Sequence, residues 1–265
     1  MPELPDVEVF RKYMDATSLQ QEIDDVEVRD AERILKETTP GDLKEGLVGN
    51  KFLFTRRHGK HLFAVLTGGL WIMMHFGMTG FLKYFKKEEE APGHIRVLYR
   101  FTGGYNLAYD CQRKLGQLQL VESPEKYVEE TGLGPDVMSN KFDFNKFLKS
   151  LENSRAMVKS ALMNQDLMAG IGNVYSDEIL FEAGVHPRAK ARDLPEEKLK
   201  DVYSALKEVL QEAVDSEADP ENMPSHYLLP YRKEGGECPK CGGEIRKIKV
   251  SGRSSYVCPS CQKKP

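Results

Sequence analysis

Two cysteine pairs, Cys238-Pro-Lys-Cys241 and Cys258-Pro-Ser-Cys261, stand sixteen residues apart near the end of the chain. Each CxxC offers two thiolates from one tight turn, and two such pairs can close a tetrahedral zinc site. The other use for four cysteines is a pair of disulfides. The opening MPELPDVEVF has no basic n-region and no apolar h-region, so no secretory signal is visible, and the reducing intracellular setting this implies disfavours disulfides. One zinc ion is therefore expected. Its role is structural, because four protein ligands leave no position for a substrate water. Cys111 is left over and reads as a small buried residue.

The opposite end carries a different chemistry. Pro2 follows the initiator methionine, and removal of Met1 would expose a secondary amine in the α-amino pKa range of about 7.7 to 8. Attack of such an amine on an aldehyde carbon gives an iminium, which is positive without a proton and draws electrons for elimination. Glu3 beside it could shuttle protons. Taken alone, Pro2 and Glu3 are far more often an ordinary terminus, and composition and spacing do not establish catalysis.

The elements that must position these groups change character along the chain. Up to about residue 135 an opening helix, with Pro5 in its first turn and Leu4, Val7 and Met14 on its inner stripe, precedes short apolar runs. KFLFT, HLFAVL, LWIMM, FLKYF, IRVLYRF and LAY alternate with turn-like TGG, GMTG, EEEAPG and TGGY, which suggests a sandwich or barrel. Leu62 to Leu82 holds no Asp, Glu, Lys or Arg, yet Gly68, Gly69, Gly77 and Gly80 break it into strands rather than a membrane span. From about Phe142 the texture is helical. Met157 with Ala161 and Val158 with Leu162 are i,i+4 pairs, and LPEEKLKDVYSALKEVLQEAV sustains helical spacing after a proline start. A connector with Pro220, Pro224 and Pro230 and no glycine leads to the cysteine-rich tail, where IRKIKV and SSYV can pair as a hairpin.

The formal net charge of −3 argues mildly against a phosphate-binding surface. Its distribution argues the other way. Ser225 to Pro265 holds nine Lys or Arg against three Asp or Glu, leaving 29 basic and 38 acidic residues elsewhere, so a basic module is joined to an acidic body.

Five segments, in order, carry a resemblance: PELPDVE at 2 to 8, RRHGKHL at 56 to 62, HFGMTG at 75 to 80, GIGNVYSDEILFEAGVHP at 170 to 187 and SGRSSYVCPSCQK at 251 to 263. The chain resembles the formamidopyrimidine-DNA glycosylase and endonuclease VIII family across nearly its whole length. The resemblance implies an α+β multidomain fold: an N-terminal β-sandwich at 1–135, a helix-two-turns-helix domain at 136–222, and a connector with a zinc-finger β-hairpin at 223–265. It implies a bifunctional enzyme of base-excision repair, a DNA glycosylase that removes oxidised purines (8-oxoguanine and formamidopyrimidines) from damaged double-stranded DNA and an abasic-site lyase acting by β,δ-elimination, with RRHGKHL and the finger segment resembling the purine-directed branch. A monomer, cytoplasmic and free of membrane, with no cofactor beyond zinc, is expected. Within the family the alternative is an endonuclease VIII type directed at oxidised pyrimidines. Outside it, the alternative is a non-catalytic zinc-ribbon DNA binder.

Carried over by position, Pro2 matches the family's Schiff-base nucleophile, Glu3 its proton donor and Lys60 the lysine that assists elimination and holds a phosphate. Asn173 and Arg253 match the phosphate clamp, with Arg253 also helping the second elimination, while Gly170 and Gly172 are expected to let backbone approach that phosphate. Met78, Arg113 and Leu115 match the wedge that fills the gap left by a flipped base. His94, Arg155 and Lys159 are further expected DNA contacts. Taken singly, Lys60 is a solvated strand end, Asn173 a helix cap and Arg253 one charge in a basic tail; their occurrence together in ordered motifs favours the functional reading. Asp6 stands where the family usually has Glu. QRKLG at 112 to 116 replaces an arginine-rich segment ending Phe-Gly, so Leu115 offers no aromatic face. With the stiff connector, this departure predicts that formamidopyrimidine excision persists while 8-oxoguanine excision is weaker or less selective for cytosine opposite.

Overall fold

The computed structural model of the chain describes residues 1–152 and 154–263, and in it Pro5 occupies the first turn of helix α1 (Leu4–Thr17). Leu4, Val7 and Met14 are all fully buried as predicted, Val7 and Met14 in one core cluster and Leu4 in another. By internal contacts the chain divides into two compact units. Met1–Pro2 and Asp6–Gly132 form the first; Glu3–Pro5 and the chain from Leu133 onward form the second.

In the first unit, β1 (Ile23–Val28) and helix α2 (Pro40–Leu47) precede β2 (Phe52–His58), β3 (His61–Leu66), β4 (Trp71–His75) and β5 (Gly80–Phe85). Then come β6 (Ile95–Phe101), β7 (Asn106–Cys111), β8 (Gln117–Val121) and helix α3 (Pro124–Thr131). The strands make two antiparallel four-stranded sheets, ordered β1-β6-β7-β5 and β2-β3-β4-β8. Val26, Tyr99, Leu107 and Tyr109 from one sheet share a core with Phe52, Leu62, Ile72 and Met74 from the other, and Phe52 meets Tyr99 edge-on at 5.7 Å. This is a sandwich with α1 packed on its core. The charge-free stretch from Leu62 to Leu82 is strand, as its glycines require, and no helix among the described residues is long and apolar enough to cross a membrane.

The second unit contains α4 (Phe144–Leu151), α5 (Val158–Leu162), α6 (Asn173–Glu182), α7 (Glu196–Asp215) and the hairpin β9 (Arg246–Val250) with β10 (Arg253–Val257). Pro195 precedes α7, whose Val202, Leu206, Val209, Leu210 and Ala213 form its buried stripe. The helices and finger expected as separate domains form one unit because they share packing: Phe181 of α6, Leu228, Cys238, Ile245 and Cys258 make a single buried cluster. The proline-rich connector is held down as well as stiff, since Met223, Tyr227 and Leu228 are buried.

Candidate active site and nucleic-acid interface

Glu3 is buried at the start of α6. Its carboxylate accepts hydrogen bonds from Gly172 N at 2.8 Å, Val174 N at 2.8 Å and Tyr175 N at 3.2 Å. These N–H groups belong to the first turn of a helix, where backbone donors have no intrahelical partner and the helix dipole favours an anion. The same loop holds the next residue, with Leu4 N donating to Gly170 O at 3.1 Å. The Gln165 amide braces the loop from behind, bonding Gly170 N at 3.0 Å and Ile171 O at 2.9 Å. A Cβ at Gly172 would overlap the Glu3 carboxyl, and one at Gly170, whose φ is +129°, would meet Leu4. The two glycines expected to let backbone approach a phosphate also give Glu3 and Leu4 their close approach to this loop. Asn173 is the first residue of α6 rather than its cap, and its Oδ1 is buried without a hydrogen-bond partner among the described residues.

Lys159 differs from its expected role. Its side chain is 1% exposed and its ammonium meets Asp177 Oδ1 at 2.5 Å, so it is not a solvent-facing phosphate contact. Burial draws that ammonium below its ordinary pKa, against the opposing pull of Asp177. Arg253, by contrast, is exposed at the start of β10, with Nη1 3.9 Å from Met163 Sδ. It lines a groove of about 570 Å³ with Ser160, Met163, Gln165 and Ser251. Arg155 is exposed just before α5.

The four paired cysteines converge in the finger. Their sulfurs lie within 4.8 Å of one another, with Cys238–Cys261 at 3.8 Å and Cys241–Cys258 at 3.5 Å. A zinc tetrathiolate with bonds of about 2.3 Å has sulfur–sulfur edges of about 3.8 Å, so the donor set fits structural zinc. Cys111 is fully buried in the sandwich core, as expected.

In the first unit Pro2 is half-buried and Met1 is 52% exposed. The Pro2 nitrogen is a peptide nitrogen while Met1 is present, so amine chemistry requires its removal. Lys60, 9% exposed, lies in the β2–β3 turn, where Gly59 takes φ +55°. Glu8 of PELPDVE fastens this turn to α1: it pairs with Arg57 at 3.0 Å and Arg11 at 2.7 Å, and Arg57 also donates to Gly59 O at 3.2 Å. Burial raises the Glu8 pKa, but the two guanidiniums more than offset this and hold it below the usual carboxylate range.

Beside the turn sit His61 and His75, directly opposite on β3 and β4 with rings 4.9 Å apart. Burial is the main cause of their depressed pKa values, about 3 for His61 and about 4 for His75, with Lys60 adding to it in both. Both are neutral near pH 7, and neither Nδ1 has a partner among the described residues. Sequence reading did not single them out; His75 opens HFGMTG at the end of a strand whose other residues are all buried, so no alternation marks it.

Met78, Arg113 and Leu115 come together on two adjoining loops. A Cβ at Gly77 would overlap the Leu115 backbone, and Arg113 N donates to Thr79 Oγ1 at 3.1 Å. Met78 is 40% and Leu115 49% exposed, unusual for apolar side chains and suited to a wedge. The loop is set by Asp30, which pairs with Lys114 and with Arg96 at 3.0 Å, and by Arg96 Nε donating to Cys111 O at 3.0 Å. His94, exposed, joins the same end of the sheet: its N donates to Asp110 Oδ2 at 2.6 Å and its carbonyl accepts from Cys111 N at 3.1 Å.

Three family models match in succession: the formamidopyrimidine-DNA glycosylase N-terminal domain over residues 1–118, its H2TH domain over 133–223, and the zinc finger found in FPG and IleRS over 235–264. A formamidopyrimidine-DNA glycosylase of Lactobacillus delbrueckii subsp. bulgaricus is 36% identical over the whole of both chains. One from Pelotomaculum thermopropionicum is 32% identical over 99% of each. Among solved structures, Lactococcus lactis formamidopyrimidine-DNA glycosylase, bound non-covalently to DNA containing an abasic site, superposes with a TM-score of 0.90 at 29% identity, covering 99% of this chain and 100% of that one. MutM in complex with DNA containing carbocyclic 8-oxo-G gives 0.89 at 29% identity, with the same coverage.

Proposed function

The chain belongs to the formamidopyrimidine-DNA glycosylase family, and from that premise we infer that it removes oxidised purines from duplex DNA and cleaves the resulting abasic site. The observation that carries the reading is the Glu3 carboxylate held by the N–H groups of Gly172, Val174 and Tyr175 at the start of α6, in a chain matched to the family along 99% or more of its length. A proton carrier fixed beside residue 2 is what amine chemistry at Pro2 needs.

In this mechanism the Pro2 amine attacks C1′ of the damaged nucleoside and the oxidised base departs with a proton; the sugar ring then opens, its C1′–O4′ bond breaking as O4′ takes up a proton, which leaves C1′ double-bonded to the Pro2 nitrogen. The resulting iminium withdraws electrons, so the 3′ phosphate leaves by β-elimination and the 5′ phosphate by δ-elimination, which opens a one-nucleotide gap. Glu3 carries protons at the sugar. Lys60 assists elimination and, with Asn173 and Arg253, holds the phosphates. Met78, Arg113 and Leu115 occupy the space of the extruded nucleotide, and His94 and Arg155 add backbone contacts. Zinc, held by Cys238, Cys241, Cys258 and Cys261, supplies rigidity to the hairpin that bears Arg253. An intracellular setting belongs to the same proposal, supported by four cysteine thiols converged to suit zinc.

Substrate preference within the purine lesions follows from Leu115 and from the anchored connector. A wedge without an aromatic face stacks less well in the gap, so formamidopyrimidine is excised faster than 8-oxoguanine. Single-turnover rates on duplexes with formamidopyrimidine, 8-oxoguanine and thymine glycol test this. Thymine glycol cleaved much faster than both purine lesions would overturn the substrate class.

A further inference from the structure

Asp177 lies on the helix that begins with Asn173, its side chain fully buried, and the proposed chemistry does not use it. Five donors from three segments converge on it. Oδ1 accepts from Lys159 Nζ of α5 at 2.5 Å and from the Ser255 hydroxyl of β10. Oδ2 accepts from Tyr256 N of β10 at 3.2 Å, and from Arg232 Nε and Nη2 of the connector at 3.1 and 2.7 Å. Lys159 Nζ and Arg232 Nη2 reach on to the Asn173 carbonyl at 3.3 and 3.4 Å, and the Arg232 guanidinium lies 4.6 Å from the centre of the Tyr256 ring.

A buried charge is costly unless paired, and apolar packing alone could have joined the finger to α6, as Phe181 and Ile245 already do. What the carboxylate adds is direction, since each of its donors fixes one segment at one distance. Zinc would fold the finger internally, and its cysteines meet Phe181 of α6 only by apolar packing, which lacks the directional bonds that Asp177 supplies.

The geometry points to Asp177 as a positioning residue for the phosphate clamp: it docks β10 on α6 and so sets Arg253, two residues before Ser255, relative to Asn173, one helical turn before Asp177. Arg232 ties the connector to the same point. The inference rests on the reading of Asn173 and Arg253 as phosphate ligands.

The test uses zinc-loaded full chain and a duplex carrying a tetrahydrofuran abasic analogue. Asp177→Asn is expected to retain its zinc and to lose affinity by about tenfold, the loss of a hydrogen-bonded buried charge. Its KM for nicking rises more than its kcat falls, and its salt dependence drops by about one phosphate contact. Combined with Arg253→Ala it costs nothing further, because both act at one contact. Losses that multiply, or unchanged affinity, overturn the proposal. Asp177→Asn leaves the Lys159 ammonium beside a neutral amide, so Ser255→Ala, which keeps the ion pair, is measured in parallel and should weaken binding in the same direction by about threefold. Wild-type binding by Ser255→Ala, if Asp177→Asn does not fold, also overturns it. Amide hydrogen exchange in the DNA-free protein should speed up at Tyr256 in both variants, and unchanged exchange there sinks the docking role. Failure of the wild-type protein to bind the duplex would instead overturn the DNA reading.

Discussion

Glu3 and Gly172 are 169 residues apart in the chain and joined by a hydrogen bond of 2.8 Å. Gly172 has φ −126°, which alanine adopts without strain, so a methyl group there acts through the Glu3 carboxyl that it would strike. Gly172→Ala should fold with a stability loss of about 1–3 kcal/mol, the usual cost of overpacking. Its base-excision rate should fall more than about tenfold while affinity for DNA changes little, the pattern of a group that acts in the transition state. Denaturation curves and single-turnover kinetics check this together; a wild-type rate would show that Glu3 need not sit where it does. Sequence reading named Glu3 and GIGN separately but could not supply the bond between them, because spacing carries no information about pairs so distant. Lys159 was misread because its partner Asp177 is a polar residue inside the core, against the general rule of burial.

Helix α6 illustrates what periodicity can and cannot reveal. Tyr175 to Phe181 are all buried, including Ser176, Asp177 and Glu178, so no apolar stripe marks the helix. Helix α7, with one solvated face, was legible to its proline start. β2 through β7 were legible from apolar runs between glycine turns, whereas β1 (IDDVEV) hides behind three acidic residues and β8 (QLQLV) is short. The capping box of α2, Thr39 with Asp42 around Pro40, was a usable signal left unread. The finger hairpin was legible because its metal spacing was. Five-residue strands with only Ile245, Val250 and Val257 as buried aliphatics cannot hold a fold without the ion. Cys241→Ser should therefore reduce bound zinc and weaken binding to abasic duplex by at least about tenfold, while unfolding of the first unit is unchanged. Full DNA affinity in zinc-free protein would contradict the structural role of the metal.

At the scale of the whole molecule, the two units should respond to pH in opposite senses. In the first unit, burial lowers His61 to about 3 and His75 to about 4 from 6.5, so the unfolded chain takes up protons more readily. Stability there is lost as pH falls below 6.5. In the second unit, burial raises Glu178 from 4.5 to about 8, with Glu182 adding to it and the N–H groups of Leu228 and Leu229 and the charge of Lys240 opposing. The folded unit then binds the extra proton, and stability is lost as pH rises from 4.5 toward 8. Each effect should exceed about 1 kcal/mol, since one pKa unit is worth about 1.4. The single tryptophan, Trp71, is buried in β4 and reports the first unit by fluorescence, while helical circular dichroism weights the second. Denaturation midpoints from tryptophan should fall from pH 6.5 to 4.5, and those from helix signal should fall from pH 5 to 8, the latter flattened in Glu178→Gln. Parallel pH profiles from both probes would contradict these assignments.

The account as a whole depends on the amine at Pro2, and borohydride trapping on an abasic duplex, followed by mapping of the adduct, tests it most directly. The predicted result is one covalent protein–DNA adduct at an N-terminal Pro2, severely reduced in Pro2→Gly and in protein that retains Met1. Equal trapping by the Met1-retaining form, or an adduct mapped to Lys60, would contradict it.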